Sequence, residues 1–234
     1  NNMCVEVSDK KLHHLKKVLR LRDGDKINIS DGKGIIYYGN LINNFVEIKN
    51  SRMYQRQNSL KIFVPYLREK NRFRFLIEKL TELNVNEIYI GITKNTQNTN
   101  YSKSKIQEWV ISALEQSGSA YLPELFFPEN INFSVFTTCF DISGESFDKK
   151  TEKLNNFAIG PEGGWSDNEL SKFQYKIKIS EFSLRTETAA ITAVSLMSED
   201  QYMMPRLNAT SCQINRGQRN TIILWKISKL SVII

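Results

Sequence analysis

An α/β protein in two parts is predicted, a small β-rich module followed by a parallel sheet covered by helices. Three observations predict it. Up to roughly residue 50, apolar and polar positions alternate between short Gly and Asn turns. From Leu60 onward, short apolar runs alternate with segments of helical period, the pattern of βα units. Finally, Gly160-Pro161-Glu162-Gly163-Gly164 lies between the apolar run Phe157-Ala158-Ile159 and Trp165-Ser166-Asp167-Asn168-Glu169-Leu170, and reads as a strand passing through a tight turn into a helix. At 234 residues the chain is long enough for two modest domains, divided by this pattern as 1–56 and 60–199 with a tail at 200–234.

The first helix is expected from Asp9 to Leu19. Leu12, Leu15 and Leu19 recur there at helical spacing, with Ser8 or Asp9 able to cap the start. After Asp23-Gly24-Asp25, alternation in Lys26-Ile27-Asn28-Ile29-Ser30 marks a strand. Asp31-Gly32 then turns into a second strand, Gly34 to Leu41, and Asn43-Asn44 into a third, Phe45 to Lys49. Polar residues from Arg52 to Ser59 suit a linker.

The second part opens with a strand from Leu60 to Tyr66 and a helix from Asn71 to Leu83, with Phe75, Leu76, Leu80 and Leu83 inward. Asn84 should stop that helix, because asparagine is second only to glycine in tolerating the left-handed conformation that closes one. A strand from Glu87 to Ile92 leads into a polar loop, Thr93 to Ser104, and a helix from Lys105 to Ser117 that ends at Gly118. Ser134 to Asp141, Asn155 to Ile159 and Tyr175 to Ile179 complete the strands. Leu184 to Val194 enters a last helix whose small residues permit close packing, so it should be buried. The tail beyond Glu199 alternates basic and apolar patches with no clear place in the sheet.

Two readings of the 160–164 loop stand side by side. Its glycines let main chain approach a ligand, since no Cβ intervenes and positive φ costs glycine little. The same residues also serve as a structural corner before a helix, where Ser166 and Glu169 have the spacing of a capping box. The spacing matches neither G-x-G-x-x-G nor G-x-x-x-x-G-K-[ST], so the common nucleotide motifs do not explain it.

Composition narrows the function classes. A net charge of +7, concentrated partly at Lys10, Lys11, Lys16, Lys17, Arg20, Arg22 and Lys26, favours a polyanionic partner. No apolar run approaches the roughly 18–20 residues that cross a bilayer, so no membrane partner is expected and a cytoplasmic location is. Cys4, Cys139 and Cys212 are too few and scattered for a disulfide framework or a zinc site and are read as reduced thiols. His13 and His14 are the only histidines, which disfavours metal binding or a histidine-based triad. Trp109 is read as core, and Trp165 borders the glycine loop.

The pairing of Gly160-Pro161-Glu162-Gly163-Gly164 with Leu184-Arg185-Thr186-Glu187-Thr188-Ala189 resembles the ribosomal RNA uracil-N3 methyltransferases of the small subunit, the RsmE family. His14-Leu15-Lys16-Lys17-Val18-Leu19-Arg20, Glu82-Leu83-Asn84-Val85 and Glu115-Gln116-Ser117-Gly118 support the likeness, which covers roughly residues 10 to 198. The chain departs from the pattern where arginines are usual, at Lys94-Asn95 and at Ser119, and where a glycine is usual, at Ser180.

The resemblance implies an N-terminal PUA-like RNA-binding barrel, then a SPOUT domain with a C-terminal trefoil knot, in a homodimer. It implies S-adenosylmethionine as cofactor, no metal, and 16S rRNA in the assembled small ribosomal subunit as substrate. Thr137, Gly160, Glu162, Gly163, Gly164, Ile179, Leu184 and Thr186 are the implied cofactor residues, with Glu162 in a structural role. Arg185 is expected to steady charge developing on a uracil carbonyl, and Glu187 to act as base or to orient Arg185, against a purely structural Arg185–Glu187 pair. Lys16, Lys17, Arg20, Arg22 and Lys94 are the candidate phosphate contacts. Another SPOUT RNA methyltransferase and a non-catalytic RNA-binding remnant of the family are the alternatives.

Overall fold

A computed structural model describes residues 3–56, 59–97, 101–147, 155–198 and, as backbone, 221–224. Two compact units divide them, and each is described by itself. The first takes residues 3–56, Leu114–Leu122 and the strand at 221–224; the second takes the remainder.

In the first unit β1 (Cys4–Glu6) precedes α1 (Asp9–His13), which runs on as a wider π-helical turn, His14–Val18. The expected helix is therefore present, but its winding changes midway. Leu15 is fully buried while Leu19 is 41% exposed, and Arg20 at φ 57° breaks the helix. The strands β2 (Lys26–Ser30), β3 (Ile35–Ile42) and β4 (Phe45–Met53) form an antiparallel meander, with β1 added along β4. Asn43 takes φ 57° in the tight turn between β3 and β4, a conformation asparagine tolerates. β4 runs through Arg52 and Met53, positions expected in the linker. Val7, Leu15, Ile27, Ile29, Leu41 and Val46 close the core.

Two segments join this unit that sequence placed elsewhere. Leu114–Leu122 packs here, with Leu114 and Ala120 buried against Ile36. Thr221–Leu224, within the tail for which the sequence offered no clear place in the sheet, forms β11 and pairs in parallel with β2. A parallel pairing between segments nearly two hundred residues apart has no local signature. The rest of the tail, including Cys212, lies outside the described residues.

The second unit is a six-stranded, wholly parallel sheet. Its strands are β5 (Lys61–Pro65), β6 (Glu87–Gly91), β7 (Glu124–Phe126), β8 (Thr138–Ser146), β9 (Asn156–Ile159) and β10 (Tyr175–Lys178), in spatial order β10-β8-β9-β5-β6-β7. β7 was not expected, being three residues long. The expected strand at Ser134 begins instead with a short 3₁₀ turn, Phe133–Val135. The helices are α2 (Lys70–Glu82), α3 (Lys103–Ser117, of which residues 114–117 belong to the first unit), α4 (Asp167–Leu170) and α5 (Thr186–Ser198).

α2 buries Phe73, Leu76, Ile77 and Leu80, a clean i, i+3, i+4, i+7 stripe. Phe75, expected inward, is 45% exposed, and Phe73 takes its place. Asn84 closes the helix at φ 59° as anticipated, and Gly118 closes α3 at φ 74°. Trp109 is core as expected. Under the sheet Phe63, Phe133, Phe136, Trp165 and Phe173 form an aromatic cluster, with Trp165 and Phe173 rings 5.1 Å apart. α5 buries one face, through Ala190, Ala193 and Val194, and leaves Thr188 and Ser195 exposed, so it is only partly enclosed.

Candidate active site

β9 ends at Ile159, and the chain enters the glycine loop at the carboxyl end of the parallel sheet, where ligands of such sheets gather. The three glycines serve different ends. A Cβ on Gly160 would stand 2.9 Å from the indole nitrogen of Trp165, so this position is small because the buried ring lies against it. That indole donates to the Phe140 carbonyl at 3.3 Å. Gly164 takes φ 70°, closing a turn in which its N–H donates to the Pro161 carbonyl at 2.9 Å. A Cβ on Gly163 would meet the Asn95 side chain at 3.0 Å.

Asn95 is one of the positions where the resemblance led an arginine to be expected. Here its amide donates to the carbonyls of Gly163 at 3.1 Å and Gly164 at 3.0 Å, pinning the loop. Behind the loop Ser166 and Glu169 complete the capping box predicted for α4. Burial opposes ionisation of Glu169. Hydrogen bonds from Ser166 and from the Lys94 amide outweigh it and hold the carboxyl below its ordinary value. Ser119 forms a local turn with Tyr121, and Ser180 accepts from the Phe182 amide.

The facing wall is the segment after β10, from Ile179 to Leu184, leading into α5. Thr186 ties the walls together, its hydroxyl donating to the Gly160 carbonyl at 3.1 Å. Between them lies a cavity of about 340 Å³. Gly160, Glu162, Gly163, Gly164, Ile179, Leu184 and Thr186 all line it, as do Phe140, Asp141, Ile142 and Ala189.

Thr137 is not among them. It precedes β8, at the end of the sheet away from the cavity, and hydrogen-bonds Asn156 at 2.6 Å. The wall is built three residues further on, because a parallel sheet offers its ligand the carboxyl ends of its strands.

The residues present fit S-adenosylmethionine. The cavity lies within the roughly 300–1,000 Å³ usual for such ligands. It offers apolar faces at Ile179 and Leu184, and main-chain N–H groups at Glu162 and Gly163 that no described residue engages.

Beside the cavity, bonded to Glu162 of its lining, stands Arg72, from the first turn of α2, which no sequence signal singled out. Its Nε and Nη2 donate to the two carboxylate oxygens of Glu187 at 2.8 and 2.7 Å, and its Nη1 donates to Glu162. The bidentate pair with Arg72 holds the Glu187 carboxyl below its ordinary range, and the same pair raises the arginine further. Glu187, expected as base or as partner of Arg185, is therefore the anchored anion of Arg72. With both oxygens engaged it is poorly placed to take a proton. Arg185 is exposed, its carbonyl accepts from the Ala189 amide at 2.8 Å, and among the described residues its guanidinium makes no ion pair. Arg185 lines a neighbouring cavity with Glu69, Arg72, Glu162, Ser183 and Leu184.

The candidate phosphate contacts fall in both units. Lys16 and Lys17 lie on the π-helical turn, followed by Arg20 and Arg22, and all four are exposed. Lys16 lies 3.4 Å from Asp23. Lys94 belongs to the second unit, with its amide anchored on Glu169 and its side chain exposed.

Comparison with known proteins identifies the relatives of this chain. Residues 55–198 match the RNA methyltransferase domain family, and residues 7–44 match the RNA methyltransferase PUA domain. The chain is 31% identical over 222 residues to ribosomal RNA small subunit methyltransferase E of Buchnera aphidicola subsp. Schizaphis graminum, covering 84% of this chain and 90% of the relative. Among solved structures it is similar to the ribosomal RNA small subunit methyltransferase E of Neisseria gonorrhoeae bound to S-adenosyl methionine. The identity there is 26% and the TM-score 0.72, over 85% of this chain and 92% of the other. A predicted RNA methyltransferase of Thermotoga maritima is 28% identical with a TM-score of 0.68, over 86% of this chain and 95% of the other. With a capped glycine loop, a facing wall tied to it by Thr186 and relatives matched along most of their length, the chain belongs to the ribosomal RNA small subunit methyltransferase E family.

Proposed function

We propose that this chain transfers a methyl group from S-adenosylmethionine to N3 of a uridine in 16S rRNA, within the assembled small ribosomal subunit. The observation that carries the reading is the cavity between the glycine loop and the Ile179–Leu184 segment, at the carboxyl end of a parallel sheet, in a chain of this family. When bound, S-adenosylmethionine supplies a methyl group already activated on a sulfonium, so the protein's work is orientation and preparation of the nucleophile. Gly160 to Gly164 and Thr186 hold one side of the cofactor, and Ile179 and Leu184 the other. Arg185, exposed at the adjoining cavity, hydrogen-bonds a uracil carbonyl where negative charge develops.

The exposed Lys16, Lys17, Arg20, Arg22 and Lys94 contact phosphates and position RNA without reading its sequence. The target base must be splayed out of any helix to reach the cavity. The half-open face of α5 is the surface by which two copies associate, and the enzyme works in the cytoplasm, where ribosomes are.

The test is methyl transfer to small subunits from a strain lacking the modification, with the product nucleoside located by mass spectrometry. N3-methyluridine in 16S rRNA is the expected result. A different methylated nucleoside would reassign the enzyme to another RNA methylation, and cofactor-independent RNA binding with no transfer would mark a binding remnant. Arg185→Ala is expected to bind cofactor normally and to lose about 100-fold or more in single-turnover rate.

A further inference from the structure

Glu162 lines three cavities: the cofactor cavity and two beside it. The first side cavity, about 360 Å³, shares Glu162, Ser183 and Leu184 with the cofactor cavity, so the two are contiguous at these residues. The two carboxylates at this junction differ. Glu187 spends both oxygens on Arg72, and its side chain is 10% exposed. Glu162 spends one oxygen on Arg72, its other oxygen is bonded by no described residue, and its side chain is 32% exposed.

Resting on the function proposed above, we infer that the side cavity formed with Ser183 and Arg185 receives the target uracil, and that the free carboxylate oxygen of Glu162 accepts its N3 proton. The chemistry of the base supports this assignment. The pairing edge of uracil presents acceptor, donor, acceptor (O2, N3–H, O4), and the side cavity offers a carboxylate acceptor with the hydroxyl of Ser183 and the guanidinium of Arg185 as donors. Cytosine presents a lone pair at N3, which a carboxylate repels. One residue thus both selects uracil and prepares its nucleophile.

The proton passes from N3 to the carboxylate while the N–H electron pair stays on nitrogen. That pair then forms the N3–C bond as the methyl C–S bond breaks, and the C–S bonding pair stays on sulfur, which leaves as a neutral thioether. The carboxylic acid returns its proton to water. Arg72 is a positioning residue here, since it aims Glu162 while occupying Glu187. The charged groups that share a cavity or an ion pair with Glu162 are Arg68, Glu69, Lys70 and Arg72 at the start of α2, Asp141 and Lys178 in the cofactor cavity, and Arg185, with Glu187 held across Arg72 at the start of α5.

The test is Glu162→Gln, which keeps size and shape but is a poor proton acceptor, beside Glu162→Asp. Cofactor affinity of each is measured by calorimetry, and single-turnover methylation is measured on small subunits. Glu162→Gln is expected to bind cofactor within about threefold of wild type and to methylate about 100-fold or more slowly at neutral pH. Its rate should recover as pH rises, and on subunits containing 5-fluorouridine, because both ease removal of the N3 proton without a base. Glu162→Asp should retain part of the rate. An unimpaired Gln variant, a defect that neither alkali nor 5-fluorouridine relieves, or loss of cofactor binding in step with activity would overturn the inference. Wild-type protein run in parallel separates the two readings. Its failure to form N3-methyluridine overturns the reaction and the proton acceptor together, whereas wild-type transfer with an unimpaired Gln variant overturns the proton acceptor alone.

Discussion

Gly160 lies against the Trp165 indole, so the smallest possible addition there has a defined cost. Gly160→Ala must push a buried ring out of a packed aromatic cluster, at roughly 1–3 kcal/mol. Urea denaturation followed by tryptophan fluorescence measures it, and a midpoint equal to wild type would show that the ring yields freely. Cys139 makes a second residue-scale case. It is fully buried in β8, and burial pushes its thiol up to about 12. Since the thiolate is the nucleophile, Cys139 is expected to resist alkylation in the native protein and to react only on unfolding, read by peptide mapping. At this scale sequence was legible where a residue answers to its chain neighbours: the Ser166–Glu169 box and the left-handed Asn84 follow from local geometry. It was illegible where the partner is distant. Nothing near Arg72 announces that it will hold Glu187, 115 positions away.

Among the elements, α2 illustrates both outcomes. Its existence and end were readable from period and from Asn84, while its rotation was misjudged by taking Phe75 inward instead of Phe73. Two aromatic residues two positions apart face nearly opposite sides of a helix, and only the sheet beneath decides between them. At the helix end, the Asn84 side-chain oxygen is buried without a hydrogen-bond partner. Asn84→Gly removes that oxygen and suits the positive φ better, so it is expected to stabilise by about 1 kcal/mol. Asn84→Ala keeps the strained φ and is expected to destabilise by about 1 kcal/mol. Thermal denaturation distinguishes the two.

α2 and α5 are joined by Arg72 and Glu187, and that pairing makes stability depend on pH. The folded Glu187 carboxyl lies below its ordinary 4.5, so its contribution is complete above that value and is lost as pH falls through the lowered folded value. Glu187→Gln should therefore unfold at a lower urea concentration than wild type at about pH 6 and lose less of its stability on acidification to about pH 3. Parallel slopes for the two proteins would show that the pair contributes nothing.

For the whole molecule, a net charge of +7 with exposed cations on the π-helical turn predicts binding to RNA that weakens with salt. Replacing Lys16 and Lys17 together by alanine should lower the slope of log K against log salt by roughly 1.4–1.8, leaving cofactor affinity unchanged. An unaltered slope would remove these residues from the interface.

What the sequence by itself determined is every feature that repeats within a few residues: the strand and helix periods, the turns at Asn84 and Gly118, the capped corner after Gly164, and the pair of motifs that carries the family likeness. Tertiary structure alone decided the strand order β10-β8-β9-β5-β6-β7, the pairing of β11 with β2, the exclusion of Thr137 from the cavity and the difference between Glu162 and Glu187. The physical reason is range. Backbone propensity and capping act between neighbours in the chain, whereas a carboxylate's role depends on which guanidinium and which cavity the folded sheet brings to it.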